Sequence, residues 1–214
     1  MTTTYVSGAG GPGMCGPIDL TITAMERPRS ANVLEGVTAQ VSSWMRIPDN
    51  AMPMRVKCNA NYHNGRLATV QASADGYVTA IMLNSRGKVS EGPGQCFFMV
   101  RNGKVITPST SNDLLESITR DTVLELLAEM GIETVERDVD RSEIMMADEA
   151  FFCGTAWEVA PILGIDKVAI GSGSKGPITS RLQKLYFDIC DGSSGQHTEW
   201  RMPVYAGSNA KAAE

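Results

Sequence analysis

The chain has 214 residues, of which 43% are hydrophobic and 20% are charged, a composition typical of a globular domain with a full core. Its 24 acidic and 19 basic residues give a net charge of −5, which argues against a nucleic-acid-binding surface because such a surface needs a basic patch. No apolar run approaches the length of a membrane span, and the N-terminus lacks the basic and apolar parts of a signal peptide.

The cysteines and histidines narrow the chemistry further. The five cysteines are widely spaced and form no CxxC pair, so the sequence supports neither a zinc site nor a disulfide framework. We therefore expect a reducing, cytoplasmic compartment. Only two histidines, His63 and His197, are present, which weakens any mechanism built on a histidine general base.

The N-terminal half is predicted to contain strands and one helix. Residues 7–16, SGAGGPGMCG, form a glycine-rich loop that fits neither common phosphate-binding glycine motif, so we interpret it as a flexible connection. Alternating or buried apolar residues predict strands over 18–25, 37–45 and 78–83. Residues 61–77 are predicted to be helical despite Gly65, and Asp75-Gly76 gives the helix a stop signal.

The C-terminal half contains the clearest local signal, a hairpin within residues 95–108. Its two β-rich runs flank Asn102-Gly103, a pair typical of a type I′ turn. The pattern also predicts a helix over 118–130 that ends at Gly131, a strand over 132–139, a short helix over 142–149, strands over 150–155 and 157–162, and a helix from Pro177 to near Cys190. Strands of mixed spacing with few helices predict an α+β fold, not a regular βαβ array.

Four segments could bind a ligand, and each also has an ordinary structural interpretation. Lys57 could perform covalent chemistry, or it could point into water from a strand end. Glu91 precedes a glycine turn and could equally be a surface residue. The free amides of residues 117–119 could bind a phosphate or belong to an ordinary helix N-cap. The turn at 154–156 could face a pocket or simply reverse the chain.

Six motifs occur in an order that points to one family. They are VSSW (41–44), KCNANY (57–62), NSRGKVSEGPG (84–94), ITRD (118–121), ADEAFFCGTAWEVAPI (147–162) and GPITSRLQKLYFDI (176–189). Together they resemble the class IV (fold type IV) pyridoxal-phosphate aminotransferases, and within these the branched-chain amino-acid aminotransferases. The resemblance covers roughly residues 18–192 and implies a β-rich, barrel-like large domain with flanking helices and pyridoxal phosphate as cofactor.

The resemblance assigns three residues to the cofactor ring. Lys57 matches the family's Schiff-base lysine, which holds the cofactor and later moves the proton from the substrate Cα. Glu91 matches the carboxylate that faces the pyridine nitrogen and keeps it protonated, so that the ring can accept electrons. Tyr62 matches a tyrosine that hydrogen-bonds the cofactor's phenolic oxygen.

The remaining assignments concern the phosphate and the substrate. Ile118 and Thr119 match the phosphate-binding residues at the start of a helix, and Thr155 matches a second phosphate contact. The Thr155-Ala156 turn resembles the family turn that offers amides to the substrate carboxylate. No metal is expected at this site.

The implied reaction is the transfer of an amino group from a hydrophobic, branched-chain L-amino acid to 2-oxoglutarate in two half-reactions. D-amino-acid aminotransferases and aminodeoxychorismate lyases share the scaffold and are alternatives, as is a non-catalytic fragment that needs a partner chain. Three departures from the family pattern bear on the substrate. Gln95-Cys96 replaces the usual Glu-Asn, Ser117 replaces a glycine, and Trp157 replaces a small residue.

The resemblance also suggests a division of the chain. Residues 1–17 are expected to be a glycine-rich interdomain segment, residues 18–192 the cofactor-binding large domain, and residues 193–214 a flexible tail. The family's small N-terminal domain, which carries a phosphate-binding arginine, has no counterpart in these residues. We therefore expect either a homo-oligomer or a separate chain that supplies this domain, with no nucleic-acid or membrane partner.

Overall fold

The computed structural model describes the backbone of residues 2–7, 18–23 and 25–202, and the side chains of residues 22, 23 and 25–202. The chain divides into two compact units, residues 1–30 and 31–214. In the first unit, β1 (Thr2–Ser7) pairs antiparallel with β2 (Ile18–Thr23). The strand predicted over 18–25 is thus confirmed as β2, whereas the predicted loop lies outside the described residues except for Ser7. The predicted domain limits stay a prediction.

Within the described residues 31–202, the second unit combines four α-helices with an eight-stranded sheet. The helices are α1 (Ala31–Glu35), α2 (Asn59–Ala74), α3 (Ile118–Glu129) and α4 (Pro177–Asp191). The strands are β3 (Val37–Val41), β4 (Thr79–Ile81), β5 (Cys96–Arg101), β6 (Lys104–Thr107), β7 (Thr134–Glu136), β8 (Glu149–Gly154), β9 (Glu158–Ile165) and β10 (Val168–Ala169). None of these helices combines the length and apolarity needed to cross a bilayer.

The sheet mixes parallel and antiparallel pairs. Its strand order is β4-β3-β9-β8-β5-β6-β7, and β10 pairs with β9 beside this path. The pairs β3–β4, β3–β9 and β6–β7 are parallel, and the remaining pairs are antiparallel. This arrangement confirms the predicted α+β class. Because α2 connects two parallel neighbours, β3, α2 and β4 form a crossover unit.

Two apolar cores cover the two faces of the central strands. In β5 and β8 successive side chains alternate between these cores, and every residue of β8 is buried. Phe97 and Phe152 belong to one core, whereas Phe98 and Phe151 belong to the other and stack with ring centroids 5.0 Å apart. A strand enclosed on both faces needs apolar residues at every position, which explains the continuous run FFMV in β5.

Several boundaries follow local sequence signals. Asn102 and Gly103 have φ angles of 53° and 73°, as a type I′ turn requires, so the predicted hairpin is confirmed as β5–β6. Gly131, with φ of 72°, follows Met130, the C-cap residue of α3. Helix α2 begins two residues earlier than predicted and ends at Ala74, before the predicted stop.

One predicted helix differs in kind from the structure. The helix predicted over 142–149 is a single 3₁₀ turn, Glu143–Met146, because Glu149 already begins β8. Within the tail predicted to be flexible, residues 193–202 are described and include a 3₁₀ turn, Thr198–Trp200. The rings of His197 and Trp200 stack there with centroids 3.7 Å apart.

Candidate active site

A pocket of about 210 Å³ brings together five of the seven residues predicted for the site. Lys57, Tyr62, Glu91, Thr155 and Ala156 all contribute to its lining. The other two predicted residues, Ile118 and Thr119, begin helix α3 and do not line the pocket. The N-cap residue before them, Ser117, does line it.

The amine of Lys57 is held at the beginning of α2. Lys57 Nζ donates a hydrogen bond to Tyr62 Oη, five positions further along the chain, at 3.0 Å. The segment before the lysine is fixed by Asn61, whose buried Nδ2 donates to the carbonyl oxygens of Pro53 at 3.0 Å and Val56 at 2.9 Å. The first turn of α2 therefore sets the positions of both the amine and the phenol.

The carboxylate of Glu91 is buried beside an arginine. Arg46 Nη2 lies 2.5 Å from Glu91 Oε1, and the side chains of both residues are about 95% buried. The backbone amide of Leu115 donates to the same oxygen at 3.4 Å. Burial raises the pKa of Glu91 to about 7, although Arg46, the Leu115 amide and Lys57 each lower it. Near neutral pH this carboxyl is poised between its two protonation states.

Arg46 was not predicted from the sequence. Its Nε and Nη1 groups are buried and have no hydrogen-bond partner, although the residue lines the pocket. A buried arginine needs an acidic partner, but Glu91 lies 45 positions away in the sequence. Because this pairing is not local, no signal around residue 46 could have identified it.

The turn that follows Glu91 is fixed by Gln95. Gln95 Oε1 accepts from the amide of Gly94 at 2.8 Å, and its Nε2 donates to Thr79 Oγ1 at 2.8 Å. The backbone amide of Gly92 donates to the Gln95 carbonyl at 2.8 Å. A Cβ at Gly92 would lie 2.7 Å from the Gln95 side chain, so the position has no room for a larger residue. Gln95, which departs from the family pattern, thus supports the turn with its side-chain amide. That amide is not free to bind a ligand in the pocket.

The predicted phosphate site lies at the start of α3. Ser117 has φ of 61°, and its Oγ accepts from the amide of Arg120 at 3.4 Å. The side chain of Ile118 is 88% exposed, whereas Thr119 is buried. The first turn of a helix offers free backbone amides to an anion, so the backbone here, and not the Ile118 side chain, could contact a phosphate.

The turn between β8 and β9 provides the last predicted contacts. It is closed by a hydrogen bond from the amide of Trp157 to the carbonyl of Gly154 at 3.1 Å. Thr155 and Ala156 at its tip are exposed and line the pocket. Trp157 itself packs on Phe152, with ring centroids 6.0 Å apart, so its bulk lies against the core.

The donor set fits the cofactor that the resemblance implies. The amine of Lys57 can react with an aldehyde, and the buried carboxylate of Glu91 can pair with a ring nitrogen. The N-terminus of α3 can bind a phosphate, and all three groups lie at one pocket. Arg46 also lines this pocket, and its buried Nε and Nη1 have no hydrogen-bond partner.

Comparisons with known proteins agree on one family. The family described as amino-transferase class IV matches residues 4–165. A probable branched-chain-amino-acid aminotransferase of Aquifex aeolicus is 46% identical over 178 residues, which make up 83% of this chain and 57% of that protein.

Solved structures show the same relationship. The branched-chain amino acid aminotransferase of Thermobaculum terrenum in its PLP-form superposes with a TM-score of 0.80 at 45% identity, over 84% of this chain and 60% of that one. The branched-chain aminotransferase of Thermoproteus uzoniensis with norvaline gives a TM-score of 0.79 at 39% identity, over 88% and 61% of the two chains. The chain thus spans little more than half the length of the relatives it matches.

Proposed function

The chain belongs to the class IV aminotransferases, and from this we propose that it serves the pyridoxal-phosphate-dependent transfer of an amino group from a hydrophobic, branched-chain L-amino acid to 2-oxoglutarate. The observation that carries the proposal is the meeting of Lys57 with Tyr62, and of Glu91 with Arg46, at one pocket. The substrate class is supported by relatives that are named branched-chain aminotransferases, one of them with norvaline.

The residues of the pocket have distinct roles in this proposal. When bound, pyridoxal phosphate supplies an aldehyde that links to an amine and a ring that accepts electrons from the substrate Cα. Lys57 Nζ would hold the cofactor and, when free, would move a proton between the substrate Cα and the cofactor carbon that carried the aldehyde. Tyr62 Oη orients that amine through their hydrogen bond. The Glu91 carboxylate holds a proton on the ring nitrogen.

Binding of the phosphate and the substrate carboxylate is proposed at the two remaining edges of the pocket. The backbone amides of Ile118 and Thr119 at the start of α3 and the hydroxyl of Thr155 would bind the phosphate. The amides of the Thr155-Ala156 turn would bind the substrate carboxylate. These assignments rest on the family motif and on the exposure of the turn beside the pocket.

The test is to incubate the chain with pyridoxal phosphate, reduce it with borohydride, and map the modified lysines by mass spectrometry. We expect specific modification at Lys57 that Lys57→Ala abolishes. Lys104→Ala is the matched control, because Lys104 is exposed and pairs with Glu133 at 2.7 Å. Scattered modification over many lysines, equal in the Lys57→Ala variant, would contradict the proposal.

The transfer itself is measured as glutamate formed from L-leucine and 2-oxoglutarate. Glu91→Gln should still be modified at Lys57 but should transfer at least about a hundredfold more slowly, because the ring nitrogen loses its carboxylate. Full turnover in Glu91→Gln would show that its assigned role is wrong. Use of D-leucine in place of L-leucine would overturn the assignment to branched-chain L-amino acids.

We also propose that a second protein chain covers the mouth of this pocket. Trp44, Met45, Val56 and Ile118 are 47–88% exposed, and each lies within two positions of a lining residue; we call these four side chains the apolar rim. The pocket's volume is below the range of about 300–1,000 Å³ usual for ligand sites, which fits a site closed by another surface. A second copy, or a chain carrying the small N-terminal domain of the family, could supply that surface. The cytoplasmic location stays a prediction.

A further inference from the structure

Arg46 and Glu91 form a buried ion pair whose geometry is set by the backbone. The amide of Arg46 donates to the carbonyl of Leu83 at 2.8 Å, which extends the pairing of β3 with β4. One residue earlier, the amide of Met82 donates to the carbonyl of Glu91 at 2.8 Å. Met82 and Leu83, which are adjacent in the chain, thus bind the backbones of Glu91 and Arg46. The pairing of the strands therefore brings the guanidinium to the carboxylate.

The pair is poorly explained as a device for stability alone. The Arg46 side chain is 95% buried, yet its Nε and Nη1 groups have no partner. Removing two charges from water is costly, and an apolar pair of similar volume is often at least as stable. Unpartnered donors add to that cost. A retained pair with these defects, in the wall of the proposed cofactor pocket, points to a functional role.

We propose that Arg46 is a positioning residue that keeps Glu91 ionised near neutral pH, so that Glu91 can pair with a protonated ring nitrogen. The inference deepens the proposed function and rests on it. Without a nearby cation, the burial of Glu91 would favour the neutral acid, and a neutral carboxyl could not hold a proton on the ring. Arg46 acts through Glu91 and needs no contact with the substrate.

Arg46 is the only cation in direct contact with Glu91 among the described residues. Lys57 also acts on Glu91 through space and lowers its pKa less than Arg46 does. The remaining titratable groups that line the pocket are the phenol of Tyr62 and the thiols of Cys96 and Cys153, and burial raises the pKa of Cys153. Neither a thiol nor a phenol carries a positive charge in either protonation state, so the charge of Glu91 depends mainly on Arg46.

The test is a pH titration of the chain without cofactor, followed by NMR of ¹³C-labelled glutamate carboxyls. The Glu91 signal is identified by its loss in Glu91→Gln. In the parent chain we expect a midpoint near 7. In Arg46→Met the midpoint should rise by about one to three pH units, because an adjacent opposite charge lowers a carboxyl pKa by that amount. Arg46→Lys, which keeps the charge, should remain closer to the parent.

Two results would overturn the proposal. One is an unchanged Glu91 midpoint in folded Arg46→Met; the other is a parent midpoint of about 9 or above, because Glu91 would then be neutral at physiological pH in spite of Arg46. The second measurement needs no variant, so it decides the question even if Arg46→Met does not fold. Because no cofactor is present, the titration can fail while labelling at Lys57 succeeds, which separates this inference from the proposed function.

Discussion

Helix α2 approaches the turn after Glu91 most closely at Gly65, and this contact predicts the effect of one added methyl group. A Cβ at Gly65 would lie 2.4 Å from the carbonyl oxygen of Pro93 and 3.0 Å from its Cα. Ordinary Cβ contacts begin at 3.4 Å. Because the opposing atoms are backbone and not a flexible side chain, Gly65→Ala would force the helix and the turn apart by about 1 Å.

Two opposing effects set the magnitude for Gly65→Ala. Alanine in a helix interior is normally more stable than glycine by about 1 kcal/mol. Overpacking of a close contact costs about 1–3 kcal/mol. We therefore expect the free energy of unfolding to fall by about 1 kcal/mol, whereas an open site would give a gain of about that size. Urea denaturation measures the difference, with the exposed Ser73→Ala in the same helix as control.

The same substitution should disturb the pocket. Lys57 and Tyr62 sit at the beginning of α2, so a displaced helix moves both away from Glu91, and modification of Lys57 by pyridoxal phosphate should decrease. Ser73→Ala should leave this modification unchanged. If Gly65→Ala proves at least as stable as the parent chain and retains full modification at Lys57, then the contact with the turn does not position the helix.

Two further predictions concern α4 and the apolar rim. The buried carboxylate of Glu149 accepts from the first two free amides of α4 at 3.0 and 2.8 Å, so Glu149→Gln should destabilise the chain by about 1–3 kcal/mol. Thermal unfolding measures this, and the exposed Glu133→Gln should have little effect; equal midpoints for both would contradict it. If the rim is an interface, Ile118→Glu should weaken self-association in sedimentation velocity, whereas Val70→Glu, outside the rim, should not. A parent chain that is purely monomeric at high concentration would exclude a homo-oligomer.

Elements fixed by neighbouring residues were predicted well from the sequence. Asn102-Gly103 specifies its own turn through two positive φ angles, and Gly131 similarly follows α3 in the left-handed region. The motif KCNANY contains both Lys57 and Tyr62, and the amine of the first donates to the phenol of the second at 3.0 Å. In each case the residues that make the interaction are also close in the chain.

Features that depend on distant segments were missed. The Arg46–Glu91 pair joins segments that follow β3 and β4, and only their pairing brings the two residues together. The 3₁₀ turn Glu143–Met146 ends three positions before Glu149, whose buried carboxylate accepts two amides at the start of α4. Helical periodicity in residues 142–149 contains no information about that tertiary contact.

The pairing of β3 with β9 has a consequence for the synthesis of the protein. β3 precedes Arg46 and Lys57, yet one of its two neighbours, β9, begins only at Glu158. Contacts between such distant segments form late and slowly. A nascent chain therefore contains Lys57 long before β3 is enclosed on both sides. The lining of the pocket ends at Ala156, whereas β3 gains this neighbour only when the chain has been made as far as Ile165, so the central sheet is completed after every lining residue has been synthesised.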